Sequence, residues 1–263
     1  MSSVSLPSAD ALARLRLQKY GTADRMPWLI ARRHRFGYAL PADVYEGLVD
    51  SLVKPGMTWL DVGGGHDIFA HNPGLGRTLA ARCGRIVAVD PSPNVLKNTF
   101  VHEAVQCLLE DFKTTETFDV ATMRMVVEHV SQPESFTGAL SRLVRPGGLV
   151  VVFTVNLWSP VTIVSRAIPF KFHHALKRYF WGGEEDDTFP TSYLMNTHAS
   201  LKRHFEQAGF SEELFAKADD LSVFGHFRSL GYLELLGWRA LHAVGLPYPE
   251  RNLLAVYRRR ASS

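Results

Sequence analysis

A chain of 263 residues, 46% hydrophobic and 21% charged, is long enough to bury a sizeable core, and its make-up excludes a disordered or collagen-like protein. The 29 Lys and Arg against 26 Asp and Glu leave a net charge of only +3, so the electrostatic footprint of a nucleic-acid binder is missing and no nucleic-acid partner is expected. Two cysteines, Cys83 and Cys107, exclude a disulfide framework and a cysteine-only zinc site, and suit a reduced, cytoplasmic protein.

The first residues carry no basic stretch leading into an apolar run, so no secretory signal is read. Residues 1–54 read as helices, with Pro41 opening one that turns Val44, Leu48 and Leu52 toward the core. The arginine runs Arg32, Arg33, Arg35 and Arg258, Arg259, Arg260 read as solvated surface. Apolar, β-branched runs then recur at 57–62, 85–90, 104–109, 118–123 and 149–155 with helical patterns between them, which predicts a mostly parallel sheet covered on both faces.

Ser131 and Glu134 form a capping-box pattern ahead of Phe136, Ala139, Leu140 and Leu143, predicting a helix that ends before Pro146-Gly147-Gly148. No charge occurs between Arg145 and Arg166, but the glycines, Asn156 and Pro160 suit a turn, a buried strand and a loop better than a membrane helix, and no stable membrane insertion is expected. Asn196 or Thr197 can cap a helix carrying Leu201, Phe205 and Ala208, with Gly209 at its left-handed stop. The last strands are expected at 211–216 and 252–257. That leaves 157–195 and 219–250 as long insertions, and connections of this length are usually lids or binding loops.

The sharpest local signal is Trp59-Leu60-Asp61-Val62-Gly63-Gly64-Gly65-His66-Asp67, a strand running into a glycine turn. Glycines there let a ligand approach the backbone and supply amide donors at a helix start. Asp90 ends the next strand, where a carboxylate can accept hydrogen bonds from ribose hydroxyls. A dinucleotide fingerprint would need glycine at Ile68; its absence disfavours a nicotinamide oxidoreductase and favours a nucleoside with an amino-acid tail.

These residues resemble the class I S-adenosylmethionine-dependent methyltransferases of the small-molecule type. Asp61-Val62-Gly63-Gly64-Gly65 is similar to the first motif of that family, Asp90 to its ribose-binding acid, and Glu110-Asp111-Phe112 to the segment whose acid and following amide hold the adenine edge. Residues 118–121 through Val127-Glu128-His129-Val130 resemble the fourth motif, and 143–148 the turn before the fifth strand. Asp67 departs from the family's usual third glycine, and the loop from His66 to Gly76 is longer than usual. The resemblance implies an α/β, Rossmann-like sheet of seven strands, mostly parallel with an antiparallel last strand. It implies one methyltransferase domain over 1–263: a helical cap to 54, a cofactor-binding core over 55–156, and substrate lids at 157–195 and 219–250. It also places Pro91 and Arg124 among the cofactor's surroundings.

What the resemblance implies chemically is methyl transfer from S-adenosylmethionine to a small hydrophobic or aromatic molecule, at oxygen or else at carbon or nitrogen. A non-catalytic, activating member of the same fold is the alternative. His129 is the candidate general base, with pocket shaping as its plainer role; His173, His174 and His198 stand in the variable segment. Thr122-Met123-Arg124-Met125 lacks the Asn/Asp-Pro-Pro-aromatic turn of base methylases. The run Glu184-Glu185-Asp186-Asp187 reads as a solvated loop, and no metal site is assigned. The aromatic stock of the first insertion (Trp158, Phe170, Phe172, Tyr179, Phe180, Trp181, beside Lys171, Lys177 and Arg178) and of the second (Phe224, Phe227, Tyr232, Trp238) suits an apolar acceptor pocket, with Gly182-Gly183 as a hinge. Nothing in the sequence sets the oligomeric state.

Overall fold

Along each central strand, neighbouring side chains enter two different cores, which is what a sheet covered on both faces requires. A computed structural model describes residues 3–22, 24–167, 189–224 and 227–261. The chain runs α1 (Ala9–Tyr20), α2 (Trp28–Arg35), α3 (Pro41–Leu52), β1 (Thr58–Val62), α4 (Pro73–Arg82), β2 (Arg85–Asp90), β3 (Glu103–Gln106), β4 (Phe118–Arg124), α5 (Pro133–Leu143) and β5 (Val144–Val155). It continues through α6 (Pro160–Ala167), α7 (His198–Gln207), β6 (Phe210–Asp219), α8 (Arg228–Ala243) and β7 (Arg251–Arg259).

The sheet order is β3-β2-β1-β4-β5-β7-β6. All pairings are parallel except those of β7, which runs antiparallel to both β5 and β6. The order reverses between β1 and β4, and open α/β sheets bind ligands at the carboxyl ends of strands at such a point. Leu60, Val87, Ala121, Val150 and Val152 face one core with Phe136 and Leu140 of α5 and Leu201 and Phe205 of α7. Trp59, Ile86, Val120, Val151 and Phe153 face the other with Tyr45 and Leu48 of α3 and Leu75 and Leu79 of α4. The uncharged stretch after Arg145 is central strand as far as Val155 and, from Pro160, helix α6 where a loop was expected; no helix among the described residues is long and apolar enough to cross a membrane.

Several local expectations need correction. The capping box at Ser131 does not form: Gln132 is the N-cap of α5 with no side-chain cap, because Pro133 in the first turn has no N–H to satisfy and brings a preset φ. Thr197, not Asn196, caps α7, through a capping box with Ser200, and Gly209 follows the helix at φ 88°. The strand expected at 104–109 stops at Gln106 and turns into a short 3₁₀ segment, Leu109–Asp111, while β6 and β7 run longer than expected.

The arginine runs are less solvated than they read. Arg33 is buried and donates to the Leu221 carbonyl. Arg258 pairs with Glu213, Arg259 donates to the Ser141 carbonyl and Arg260 to that of Phe210, so three consecutive guanidiniums pin the tail to the edge strand β6 and to α5. The N-terminal helices are fastened in the same manner. Lys19 of α1 donates to Asp43 and Glu46 of α3, and Glu46 accepts in turn from Asn72, the N-cap of α4.

Candidate active site

The glycine turn leaves β1 under tight steric control. At Gly63 (φ 72°) a Cβ would lie 2.4 Å from Cγ2 of Val126, and at Gly64 it would lie 2.7 Å from Cβ of Ala88. Gly65 (φ 36°) faces open space, with nothing within 4 Å of where its Cβ would stand. A side chain at any of the three would collide, strain the backbone or fill that space. In keeping with the long loop expected from His66, α4 begins only at Pro73, so the amides beside the turn are its own and not those of a helix start, where the donors were expected.

Asp90, at the end of β2, is 8% exposed and holds the turn in place. Its Oδ2 accepts from the Gly65 amide at 3.0 Å and its Oδ1 from the Ser92 amide at 2.7 Å. A carboxylate has roughly four acceptor positions, so two remain for hydroxyl donors. Pro91, between the acid and Ser92, is exposed and receives Gln106 on its carbonyl. Asn98, which the sequence reading missed, donates to the Gly64 carbonyl at 2.9 Å and fixes the turn from the other side.

Asp61 lies beneath the turn, 5% exposed. Its Oδ1 accepts from the Thr122 hydroxyl at 2.8 Å, whose oxygen accepts from the Trp59 indole at 2.7 Å. Burial pushes the Asp61 carboxyl up to about 7, the nearby Asp90 charge adds to this, and the Thr122 bond opposes it. Tyr45 of α3 closes the floor: its ring stacks on Phe153 at 5.3 Å, and burial and the Asp61 charge drive its hydroxyl's pKa upward. Arg124 ends β4 at this edge, its Nε buried and without a partner among the described residues. Met125 follows with φ 54°, a left-handed conformation rare for a non-glycine residue, and re-aims the chain into the Val126–Val130 loop.

Glu128 and His129 occupy that loop with different environments. Glu128 is buried, and its Oε2 accepts from Thr154 at 2.8 Å, which itself accepts from Asn196 at 2.8 Å. Burial raises the Glu128 carboxyl, against the pull of Thr154. The Glu128 carbonyl receives the amides of Ser192 and Tyr193, fastening the segment that returns to the sheet before α7. His129 is half-buried, with Nδ1 3.0 Å from the Pro190 carbonyl and its ring edge-on to Phe189.

The remaining sequence assignments are placed as follows. Asp111 is exposed at the end of the 3₁₀ turn, and the Phe112 amide is already bonded to the Leu109 carbonyl at 3.2 Å, so it must share or leave that bond to serve a ligand. His198 is not at the acceptor side of the edge: it stacks on Phe215 at 3.7 Å and pairs with Glu212. Tyr232 and Trp238 of α8 pack edge-on against Phe36 and Tyr38. Phe170 to Asp187, with His173, His174, the other aromatic and basic residues of that stretch, the acidic run and Gly182-Gly183, lie outside the described residues. A pocket of about 180 Å³, lined by Tyr38, Val44, Ala216, Asp219, Trp238 and Leu254 among others, opens between α3 and the β6–β7 end of the sheet.

Comparison with known proteins settles the class. A methyltransferase domain family matches residues 31–213, well over half of the chain. The chain belongs to that family. The seven-stranded sheet, with its antiparallel last strand, is the fold that the resemblance to class I methyltransferases implies. A ubiquinone biosynthesis O-methyltransferase of Parvibaculum lavamentivorans is 32% identical over 121 residues, 42% of this chain and 46% of that protein. Its counterpart from Brucella ovis is 32% identical over 110 residues, 38% of this chain and 42% of that protein. The match therefore spans less than half the length of these relatives. Among solved structures, a geranyl diphosphate methyltransferase in complex with S-adenosylmethionine superposes with a TM-score of 0.52 at 18% identity, covering 98% of this chain and 97% of that one. Geranyl diphosphate C-methyltransferase from Streptomyces coelicolor A3(2) gives 0.50 at 17% identity, covering 98% and 90%. At these identities the structures show the shared fold.

Proposed function

We propose that this methyltransferase moves the methyl group of S-adenosylmethionine to an oxygen of a small hydrophobic or aromatic metabolite. The observation that carries the reading is the Asp90–Gly65 bond across the mouth of the glycine turn: a buried acid with free acceptor positions stands beside a glycine that opens on unfilled space. That arrangement fits a ribose. When bound, S-adenosylmethionine supplies an electrophilic methyl group on a positively charged sulfur.

The chain's own residues bind and orient. Asp90 accepts the ribose hydroxyls, Gly63, Gly64 and Gly65 let the backbone come close, and Asp61 beneath them offers a carboxylate to an ammonium group. Arg124, with its unpaired buried Nε, is matched to a carboxylate at the same edge. Asp111 and Phe112 bound the adenine side, once the Phe112 amide gives up its turn bond. Holding the acceptor and methyl group in a near-attack arrangement supplies on the order of 7–11 kcal/mol of barrier reduction, so positioning is the main contribution.

An oxygen acceptor also has a proton to lose, and His129 is arranged to take it. A carbonyl can only accept, so the Pro190 oxygen fixes the proton on Nδ1 and leaves the Nε2 lone pair free. The ubiquinone O-methyltransferase relatives support an oxygen acceptor, and the apolar pocket beside α3 supports a hydrophobic one. The free thiols Cys83 and Cys107 suit a reducing cytoplasm.

The test is mass spectrometry of a metabolite extract incubated with enzyme and deuterated methyl donor, joined to calorimetry with S-adenosylmethionine. A deuterated methyl ether among hydrophobic products supports the reading. Cofactor binding without any labelled product points to a binding subunit, and no cofactor binding overturns the site itself.

A further inference from the structure

Helix α8 is built inside out. Its inward residues are Gly231 and Leu235, helped by Trp238, whereas Leu230, Leu233, Gly237, Ala240 and Val244 follow one another at helical spacing along its outer side. Leu233 is 61% exposed and Val244 70%, and the stripe contains no charge. The acid on this helix, Glu234, is turned away and receives the Tyr248 hydroxyl at 2.9 Å. An uncharged stripe of this length facing outward on a helix is the reverse of the ordinary amphipathic pattern.

Beside the stripe, α2 and α8 are laced by a ladder of cations and rings. Arg32 lies 5.0 Å from the Trp28 ring centre and 4.8 Å from that of Tyr232; Arg228 lies 4.9 Å from Trp28, and Arg239 5.4 Å from Phe36. None of the three arginines has a carboxylate partner among the described residues, and α2 itself contains no acid. Guanidiniums held against rings keep their full charge, and five N–H donors each, for an external anion.

We propose that the α2–α8 face docks on an anionic lipid bilayer, the leucine stripe entering the headgroup boundary and Arg32, Arg228 and Arg239 meeting lipid phosphates. Exposed leucines flanked by aromatic rings and unpaired arginines are the chemistry of a helix lying in a membrane interface. A second copy of this chain fits less well. A two-fold pairing would bring the same arginines together, and Glu234, the acid of α8, is already engaged by Tyr248. Helix α8 leaves β6 and enters β7 at the carboxyl edge of the sheet, the edge that carries Asp90 and Arg124, so docking would hold the open side of the site near the lipid. The proposal does not depend on the oxygen acceptor proposed above.

Co-sedimentation of the full chain with phosphatidylcholine vesicles, with and without phosphatidylglycerol, tests this directly. Wild type should bind the anionic vesicles roughly tenfold or more tightly than the neutral ones, and high salt should weaken that binding. Arg32→Gln with Arg239→Gln should erase the preference for anionic lipid. Leu230→Asp with Leu233→Asp should lower binding about tenfold or more, while leaving S-adenosylmethionine affinity unchanged, which also shows that the variant folds. Wild type that stays in the supernatant, or binding indifferent to either pair of substitutions, overturns the proposal. So does a dimer that Leu233→Asp dissociates, which would assign the face to a second copy.

Discussion

Over β1, β2 and β4 the carboxyl edge of the sheet is crowded: Asp90 holds Gly65 and Ser92, Asn98 holds Gly64, Thr122 holds Asp61, and Cβ atoms at Gly63 and Gly64 have no room. Over β5, β7 and β6 the same edge carries α6 and α8, where Trp158, Ile163, Val164, Leu233 and Val244 are exposed. On the proposed reading, the first half would bind the cofactor and is built before it arrives, and the second would receive the acceptor and is left open, with apolar surface exposed. The contrast implies that substitutions in the first half act on cofactor affinity and those in the second on turnover.

The loop bearing His129 joins the two halves, and the largest effect is expected there. His129→Ala should lower kcat by ~10²- to 10⁴-fold, the usual worth of a general base, with S-adenosylmethionine affinity unchanged. His129→Gln should be as slow, since it keeps shape but not basicity. Single-turnover rates decide this, and a variant that keeps its rate leaves His129 as a wall of the pocket.

Asp90→Ala should weaken S-adenosylmethionine binding by ~2–4 kcal/mol, because it removes a charged acceptor and leaves the Gly65 amide without its partner. Titration calorimetry reads the difference, and unchanged affinity in the folded variant removes the ribose assignment. The adenine contact is sharpened by Asp111→Asn, which should lose the preference for S-adenosylmethionine over its inosine analogue if that carboxylate reads the exocyclic amine.

Asp61 tests whether the crowded half costs stability. Its carboxyl is held up at about 7 against an ordinary value of 3.8, so the folded state retains the proton to higher pH than the unfolded chain does. Stability from this group is therefore fully present below about pH 4, falls as pH rises to 7, and is level above that. Asp61→Asn can still accept the Thr122 bond, and should be more stable than wild type above pH 7 by on the order of 2 kcal/mol, the gap closing toward pH 4. Urea midpoints across that range check the sign. A gap that opens instead toward low pH would mean that Asp61 is held charged by groups other than those described.

How much of this was legible in the sequence follows the same division. Gly63 stood out because the backbone itself demands it, through a positive φ and a missing Cβ, and Asp61 and Asp90 because an acid inside or at the end of an apolar strand stands out locally. Asn98, Thr122 and Tyr45 were not, since each reaches the site only across the fold, Thr122 acting on a residue 61 positions away. The arginine runs misled for the same reason: Arg33 reaches a carbonyl 188 residues on, a partner that local charge counting cannot see. Glu128 was noticed only as the neighbour of His129, although its bond to Thr154 makes it the buried member of the pair.

The smallest expected effect is at Thr197, and it asks whether the two halves are independent. Thr197 accepts from the Ser200 amide at 3.1 Å and closes the first turn of α7, while the preceding Asn196 reaches Thr154 and, through it, Glu128. Thr197→Ala removes a cap worth typically about 1 kcal/mol, which for a chain of this size lowers Tm by roughly 2–4 °C. If the crowded half is self-sufficient, S-adenosylmethionine affinity should not change, because no bond described runs from Thr197 to β1 or β2. Turnover is more exposed: a looser start to α7 loosens Asn196, and with it the loop that holds His129. A variant with lower Tm, lower kcat and unchanged cofactor affinity would support the division; a parallel loss of cofactor affinity would show that the open half also props up the glycine turn, and the contrast between the two halves would fall.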